Sequence, residues 1–160
     1  MAWDELLGVY LNDHLAGATS GAELAEKLRA NNQGTPLAAV LSSLASEINE
    51  DRATLLGLME RLEIRKSTVK RAAGWGFEKL TRLKLNERLT GSSELTRLLE
   101  LETLSLGIEG KLLMWRLLRV VAGVDARLAA ADFDRLIDRA HKQRETLEPH
   151  RLAALKARTP

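Results

Sequence analysis

The sequence predicts an all-α protein, and three observations carry that prediction. Residues that favour helices, namely Leu, Ala, Glu, Arg and Lys, occur throughout the 160 residues, which include only three prolines. Apolar side chains recur at alternating spacings of three and four, the period of one helix face. No alternating run rich in Val, Ile and Thr indicates a strand. The length suits a single domain over residues 1–160 with a substantial core.

The first predicted helix covers about residues 2–31 and ends at Gly34. Thr35 can then cap a second helix, and Pro36 fits its first position because no amide hydrogen bond is lost there. This second helix is predicted over 36–64. Its apolar seam keeps the four-three rhythm through Leu37, Leu41, Leu44, Ile48, Asp51, Leu55, Leu58 and Leu62, so a carboxylate lies at its midpoint.

Three further helices are predicted at about residues 67–86, 93–122 and 125–157. Ser67 can cap the first of them, which is short. Short connections join antiparallel neighbours, so the first two long helices form one hairpin and the last two form another. The segment of about thirty residues between the hairpins is long enough to return along a bundle. Two topologies remain open: a four-helix bundle with a crossover helix, and a five-helix up-and-down array.

Charged residues interrupt the apolar surface of the helix predicted at 93–122. Glu102, Glu109 and Arg116 are seven residues apart and share one face, flanked there by leucines. Charges enter a core only with partners, so these three residues and Asp51 are predicted to form a buried polar network. A second apolar face, carrying Leu101, Leu104, Ile108 and Trp115, predicts cover either by the short helix or by another copy in a homodimer.

The helix order, with the stretches YLNDHL at 10–15 and ELE at 100–102 through GK at 110–111, resembles the ferritin-like four-helix bundles, in particular an uncharacterised bacterial branch. This resemblance implies four long helices with a crossover helix between the second and third of them. It also implies an interior metal site, because ferritin-like di-iron proteins use a Glu from each of two helices and a Glu-x-x-His from each of the other two.

The di-iron ligand pattern is degenerate in this chain. Neither Glu-x-x-His is present: Glu47 and Glu50 have the spacing without the histidine, and Asp138 and His141 have a shorter carboxylate. An internal ion-pair network is favoured over metal binding because Arg116 supplies a positive partner. No cofactor is therefore predicted, and iron or manganese is the alternative. The candidate metal ligands are His14, Glu47, Glu50, Asp51, Glu102, Glu109, Asp138 and His141.

Residues 64–91 form a basic strip, with eight Lys and Arg against two Glu. Together with Trp75 and Phe77, such a strip could lie on nucleic acid or on an anionic membrane surface. The competing interpretation, which we favour, is that the bases cover the solvated face of a helix packed on the bundle. The basic residues that would carry binding are Lys70, Arg71, Lys79 and Arg82.

Several functional classes are excluded or disfavoured by the sequence. The absence of cysteine excludes disulfides, thiolate metal sites and a cysteine nucleophile. No catalytic residue is predicted, because no phosphate-binding loop, His-Glu-x-x-His or nucleophile elbow is present. Without a leader or an apolar span, a cytoplasmic location is expected. The sequence thus favours a non-catalytic structural or interaction protein, ahead of a metal protein and of a basic-helix binder.

Overall fold

The computed structural model describes residues 2–67 and 93–154. Within these ranges the chain is all-α, as predicted, with four α-helices, one short 3-10 helix and no strand. We number the α-helices in chain order among the described residues. They are α1 (Trp3–Asn31), α2 (Pro36–Arg61), α3 (Ser93–Ala122) and α4 (Phe133–Ala153), with the 3-10 helix Ala126–Leu128 between α3 and α4.

The ends of the first hairpin follow from local backbone chemistry. Gly34 has a φ of +79°, a left-handed conformation that glycine adopts without a steric penalty, and Pro36 opens α2. At the other end of α2, Glu63 is left-handed with φ 58°, and the Ile64 amide donates to the Met59 carbonyl at 2.9 Å. This pattern of a Schellman motif ends α2 at Arg61, three residues before the predicted end at 64.

The last helix begins later than predicted. The sequence predicted one helix from residue 125, but Asp125 caps the 3-10 helix by accepting a hydrogen bond from the Arg127 amide. Asp132 then caps α4 by accepting from the Arg135 amide at 3.0 Å. Two successive Asp caps therefore divide the predicted segment. The described part of α4 ends at Ala153, before the predicted end at 157.

The four helices form a closed ring in which α1 contacts α2 and α3, while α4 contacts α3 and α2. Ion pairs fix the directions of neighbouring helices. Lys27, near the end of α1, pairs with Glu100, near the start of α3, at 2.6 Å. Arg119, near the end of α3, pairs with Asp134, near the start of α4, at 2.7 Å. All neighbours in the ring are therefore antiparallel.

As a consequence, α2 and α3 run in the same direction on opposite corners of the ring. The chain leaves α2 at the end of the bundle that holds Asp4, where Arg127 contacts both Asp4 and the Leu62 carbonyl. Helix α3 starts at the other end. The helix predicted at 67–86 lies outside the described residues, apart from Ser67 itself, whose amide donates to Asn12.

The face of α3 that is buried in the core differs from the predicted one. Leu101, Leu104, Ile108 and Trp115, expected on an outer face, are each 2% exposed or less. Of the apolar residues expected to flank the charged line, Leu106, Leu113 and Val120 are exposed instead, by 39%, 52% and 70%, whereas Leu112 is buried. Because α3 is apolar nearly all round, its sequence alone leaves either face able to enter the core.

Outside the core, the described helices carry enough charge that none of them is both long and apolar enough to cross a membrane.

Candidate functional site: an ion-pair network inside the bundle

Asp51 lies in the middle of α2, on the seam that faces the core, and its side chain is 1% exposed. Both of its carboxylate oxygens are held by cations. Oδ2 lies 2.5 Å from the Lys111 Nζ, and Oδ1 accepts a hydrogen bond from Arg139 Nη2. A buried carboxylate requires such pairing, because an isolated charge in a low-dielectric interior is strongly disfavoured.

Lys111 reaches Asp51 from α3, which stands diagonally opposite α2 in the ring. It occupies the inner seam of α3, between Ile108 and Trp115, and its side chain is 12% exposed. Burial lowers the pKa of the Lys111 ammonium, while the negative charges of Asp51 and Glu47 act in the opposite direction. The four-carbon stem of Lys111 thus carries the ammonium across the bundle to Asp51 Oδ2.

Gln143 of α4 connects the two charged groups to the rest of the interior. Its side chain is buried, its Oε1 accepts from Lys111 Nζ at 2.6 Å, and its Nε2 donates to Glu47 Oε2 at 2.8 Å. The same Nε2 lies 3.5 Å from Asp51 Oδ2. The amide thus uses both its acceptor and its donor inside the bundle, which fixes its orientation by hydrogen bonding.

Arg139, one turn earlier in α4, pairs with a second carboxylate at the edge of the site. Its Nη1 donates to Glu50 Oε2 at 2.7 Å, and the Glu50 side chain is 61% exposed. Burial alone would lower the pKa of Arg139, but Asp51 and Glu50 outweigh it and raise that pKa. We call Glu47, Glu50, Asp51, Lys111, Arg139 and Gln143 the interior network; it joins α2, α3 and α4.

The predicted polar network is corrected by the structure, which keeps only Asp51 in the interior. Glu102 pairs with Arg151 of α4 at 3.0 Å, and Glu109 pairs with Arg144 of α4 at 2.5 Å. The third member, Arg116, is exposed, with its Nη2 3.2 Å from His141 Nε2. These three residues line the edge of α3 that faces α4, because the inner face is filled by leucine, isoleucine and tryptophan.

The candidate metal ligands are divided in the same way. Only Glu47, Glu50 and Asp51 belong to the interior network, where their oxygens contact Lys111, Arg139 and Gln143. His14 packs edge-on against the Tyr10 ring on α1, with ring centroids 4.5 Å apart, and Asp138 is exposed. Across residues 2–67 and 93–154, no three His, Asp or Glu side chains are grouped to hold a metal ion. The interior donor set therefore does not fit a di-iron centre.

The sequence analysis did not identify the three partners of Asp51, which are Lys111, Arg139 and Gln143. One signal could have found Lys111: it continues the three-four spacing of Leu104, Ile108, Trp115 and Leu118, so it lies on the inner seam. Arg139 and Gln143 carry a weaker signal, since they are four residues apart on α4 on a face next to the apolar positions. The predicted basic residues Lys70, Arg71, Lys79 and Arg82 fall outside the part of the chain that the structure describes.

Comparison with protein-family models, with curated proteins and with solved structures gave no match for this chain. The class defined by the described residues is an all-α bundle of four helices. Its distinguishing feature is a carboxylate held in the interior by a lysine and an arginine from two other helices.

Proposed function

We propose that this protein is a non-catalytic structural or interaction protein built on a ferritin-like bundle, in which the interior network occupies the place of a metal centre. The observation that carries the proposal is the double pairing of Asp51. Both of its oxygens contact cationic side chains, Lys111 on one and Arg139 on the other. The positive charge that a metal would supply to an interior carboxylate comes here from the protein itself.

The ring of helices supports the ferritin-like part of the proposal. Helices α1 and α3 touch directly, as do α2 and α4, so four helices close a bundle without a fifth between them. Helices α2 and α3 also run in the same direction, which requires a long return between them. A segment linking residues 67 and 93 around the outside of this ring would be the crossover connection of the ferritin-like bundles.

A structural role follows from how the interior network is distributed. Its ion pairs and hydrogen bonds join three helices at one level, and they include a diagonal pair of helices that are not neighbours. Buried polar groups of this kind add little net stability compared with a well-packed apolar core, but a misaligned helix would leave them unpaired. We infer that the interior network selects one register of the four helices, which keeps the outer surface in a fixed arrangement.

The competing proposal is a carboxylate metal protein, and one observation favours it: Glu47 and Asp51 both contact Gln143, while Glu50 and Asp51 both contact Arg139. In that case iron or manganese would have to displace Lys111 from Asp51. Glu47, Glu50 and Asp51 would supply the carboxylate oxygens that hold the cation, and Asp51 would no longer pair with Lys111.

Metal analysis separates the two proposals. The protein is expressed with added iron or manganese, its metal content is measured, and its melting temperature is recorded with Fe²⁺ or Mn²⁺ under anaerobic conditions. We expect no stoichiometric metal and no change in melting temperature, since a ligand bound only by the folded state would raise it. Lys142→Ala, at an exposed position of α4, serves as the control for removing a lysine. Stoichiometric metal with a raised melting temperature would overturn the structural proposal.

A further inference from the structure

Helix α3 carries a second apolar seam on the side away from the core. We call Thr103, Leu106, Gly110, Leu113, Leu117 and Val120 the outer seam; their spacing alternates between three and four. Its large residues are unusually open: Leu106 is 39%, Leu113 52%, Leu117 38% and Val120 70% exposed. Single exposed apolar residues are common on proteins, but a row of four along about four turns indicates an interaction surface.

The spacing of the outer seam specifies what fits it. An alternation of three and four residues gives a mean period of 3.5, the repeat of helices that pack side by side in a coiled coil. The occupant should therefore be a helix of about four turns or more with a matching apolar row. The outer seam itself has both properties, and helix α3 is present in every copy of the chain.

We propose that two copies of this protein associate through their outer seams, with the two α3 helices packed antiparallel around a twofold axis. The inference rests on the proposed structural and interaction role and names the partner as a second copy of this chain. A twofold arrangement pairs each seam with itself, so the apolar row must be complementary to its own reverse.

The outer seam meets that condition in one register. Antiparallel packing that places Leu106 against Leu117 of the second copy also places Gly110 against Leu113 and Thr103 against Val120. Each layer then combines a smaller with a larger residue or two leucines. A side chain built on Gly110 would meet nothing within 4 Å, so the space beside it is open to the incoming Leu113.

Charge complementarity favours the antiparallel orientation. Glu109 and Arg116 line the edge of the outer seam that faces α4, each just before a residue of the repeat; within one copy Glu109 also pairs with Arg144 at 2.5 Å, and Arg116 Nη2 lies 3.2 Å from His141 Nε2. In the antiparallel register this edge faces its own copy, so Glu109 lies beside Arg116 of the second copy, and the twofold axis repeats the pair. A parallel arrangement would place this edge against Gly107, Met114 and Val121, where no charge is available.

The first experiment measures the mass of the full chain in solution by light scattering and sedimentation. At about 0.1 mM, above the micromolar dissociation constants of weak dimers, we expect a dimer. Leu113→Glu together with Leu117→Glu should give a folded monomer, with helical circular dichroism unchanged. Leu152→Glu on α4 is the matched control, since Leu152 is 54% exposed, and it should remain dimeric. A monomeric wild-type chain, or a dimeric double variant, would overturn the proposal.

The second experiment tests orientation and does not depend on the folding of a charged variant. The chain has no cysteine, so Thr103→Cys with Val120→Cys introduces the only two thiols. These positions are 17 residues apart on one helix, too far to bridge within a copy but adjacent between antiparallel copies. Oxidation should link the double variant and leave Val120→Cys alone unlinked. Efficient linking of Val120→Cys alone would overturn the antiparallel arrangement.

The two proposals fail separately. A monomeric chain that binds no metal would refute the outer-seam interface and leave the account of the interior network intact. A dimer that takes up stoichiometric iron or manganese would refute the account of the interior network and leave the outer-seam interface intact.

Discussion

The Lys111 ammonium lies 2.5 Å from the Asp51 carboxylate although the two residues belong to helices that are not neighbours. Helix α2 and helix α3 stand on opposite corners of the ring, and the ion pair spans the diagonal between them. The separation between the two helix backbones is bridged by the long side chain of Lys111 and the short side chain of Asp51. This ion pair couples the positions of α2 and α3 along the bundle axis. Without it, the two helices would be aligned only through their contacts with α1 and α4.

Removing the lysine head while keeping its length should destabilise the protein. Lys111→Met leaves Asp51 with Arg139 as its one cationic partner and leaves the Gln143 carbonyl oxygen without its donor. Breaking a buried ion pair in this way costs about 3 kcal/mol of unfolding free energy, measurable by chemical denaturation. Lys142→Met at an exposed position should stay within about 0.5 kcal/mol of the wild type. Equal effects of the two substitutions would contradict the importance of the diagonal pair.

The same pair should show strong coupling in a double-mutant cycle. Asp51→Leu leaves a buried lysine and Lys111→Met leaves a buried carboxylate, but the double variant leaves neither of the two uncompensated. Its unfolding free energy should therefore exceed the value expected from adding the single losses by at least about 1 kcal/mol. Simple additivity would show that the two side chains act independently.

Comparison of sequence and structure shows which features of this protein a periodic pattern can determine. The bounds of α1, the start of α2 and the whole of α3 agree closely with the predictions, because the turn at Gly34, Pro36 at the start of α2 and Gly123 after α3 act locally. Asp51 could be placed inside because the seam of α2 is apolar on both sides of it. Only this seam of α2 could be assigned to the core, since the other faces of the helix are more polar.

The remaining features depend on tertiary contacts that local patterns do not encode. Helix α3 has two apolar seams, and only packing against α1 and α4 determines which one enters the core. The line of Glu102, Glu109 and Arg116 lies between these seams, so it could not be assigned correctly from its period. Lysine, arginine and glutamine are also abundant on surfaces, so Lys111, Arg139 and Gln143 gave no compositional sign of burial.

The stability of the protein should depend on pH through His14. Burial lowers the pKa of His14 below its ordinary 6.5, with Asp13 acting in the opposite direction. Between its folded pKa and 6.5, the unfolded chain binds more protons at this site than the folded one. Stability therefore rises with pH across this window and falls as the pH drops through it. His14→Phe, which retains a ring against Tyr10, should reduce this dependence in denaturation series between about pH 7 and pH 5. An unchanged slope would contradict the burial of His14.

Two backbone positions should respond to substitution in opposite senses. Glu63 is left-handed without being a glycine, so Glu63→Gly should raise the unfolding free energy by about 1 kcal/mol or less. Gly34 is left-handed as well, and Gly34→Ala should lower it by about 1 kcal/mol. Thermal or chemical denaturation measures both changes. Two effects of the same sign would contradict the turn geometry described for the ends of α2 and α1.

The claim that protein cations replace a metal inside the bundle is tested most directly by a crystal structure of protein grown and crystallised with manganese or iron. Data collected at the absorption edge of the metal would locate any bound ion by its anomalous signal. The account predicts no anomalous peak between α2 and α4, with Lys111 Nζ and Arg139 still bonded to Asp51. A peak coordinated by Glu47 and Asp51, with the Lys111 side chain turned out of the interior, would contradict it.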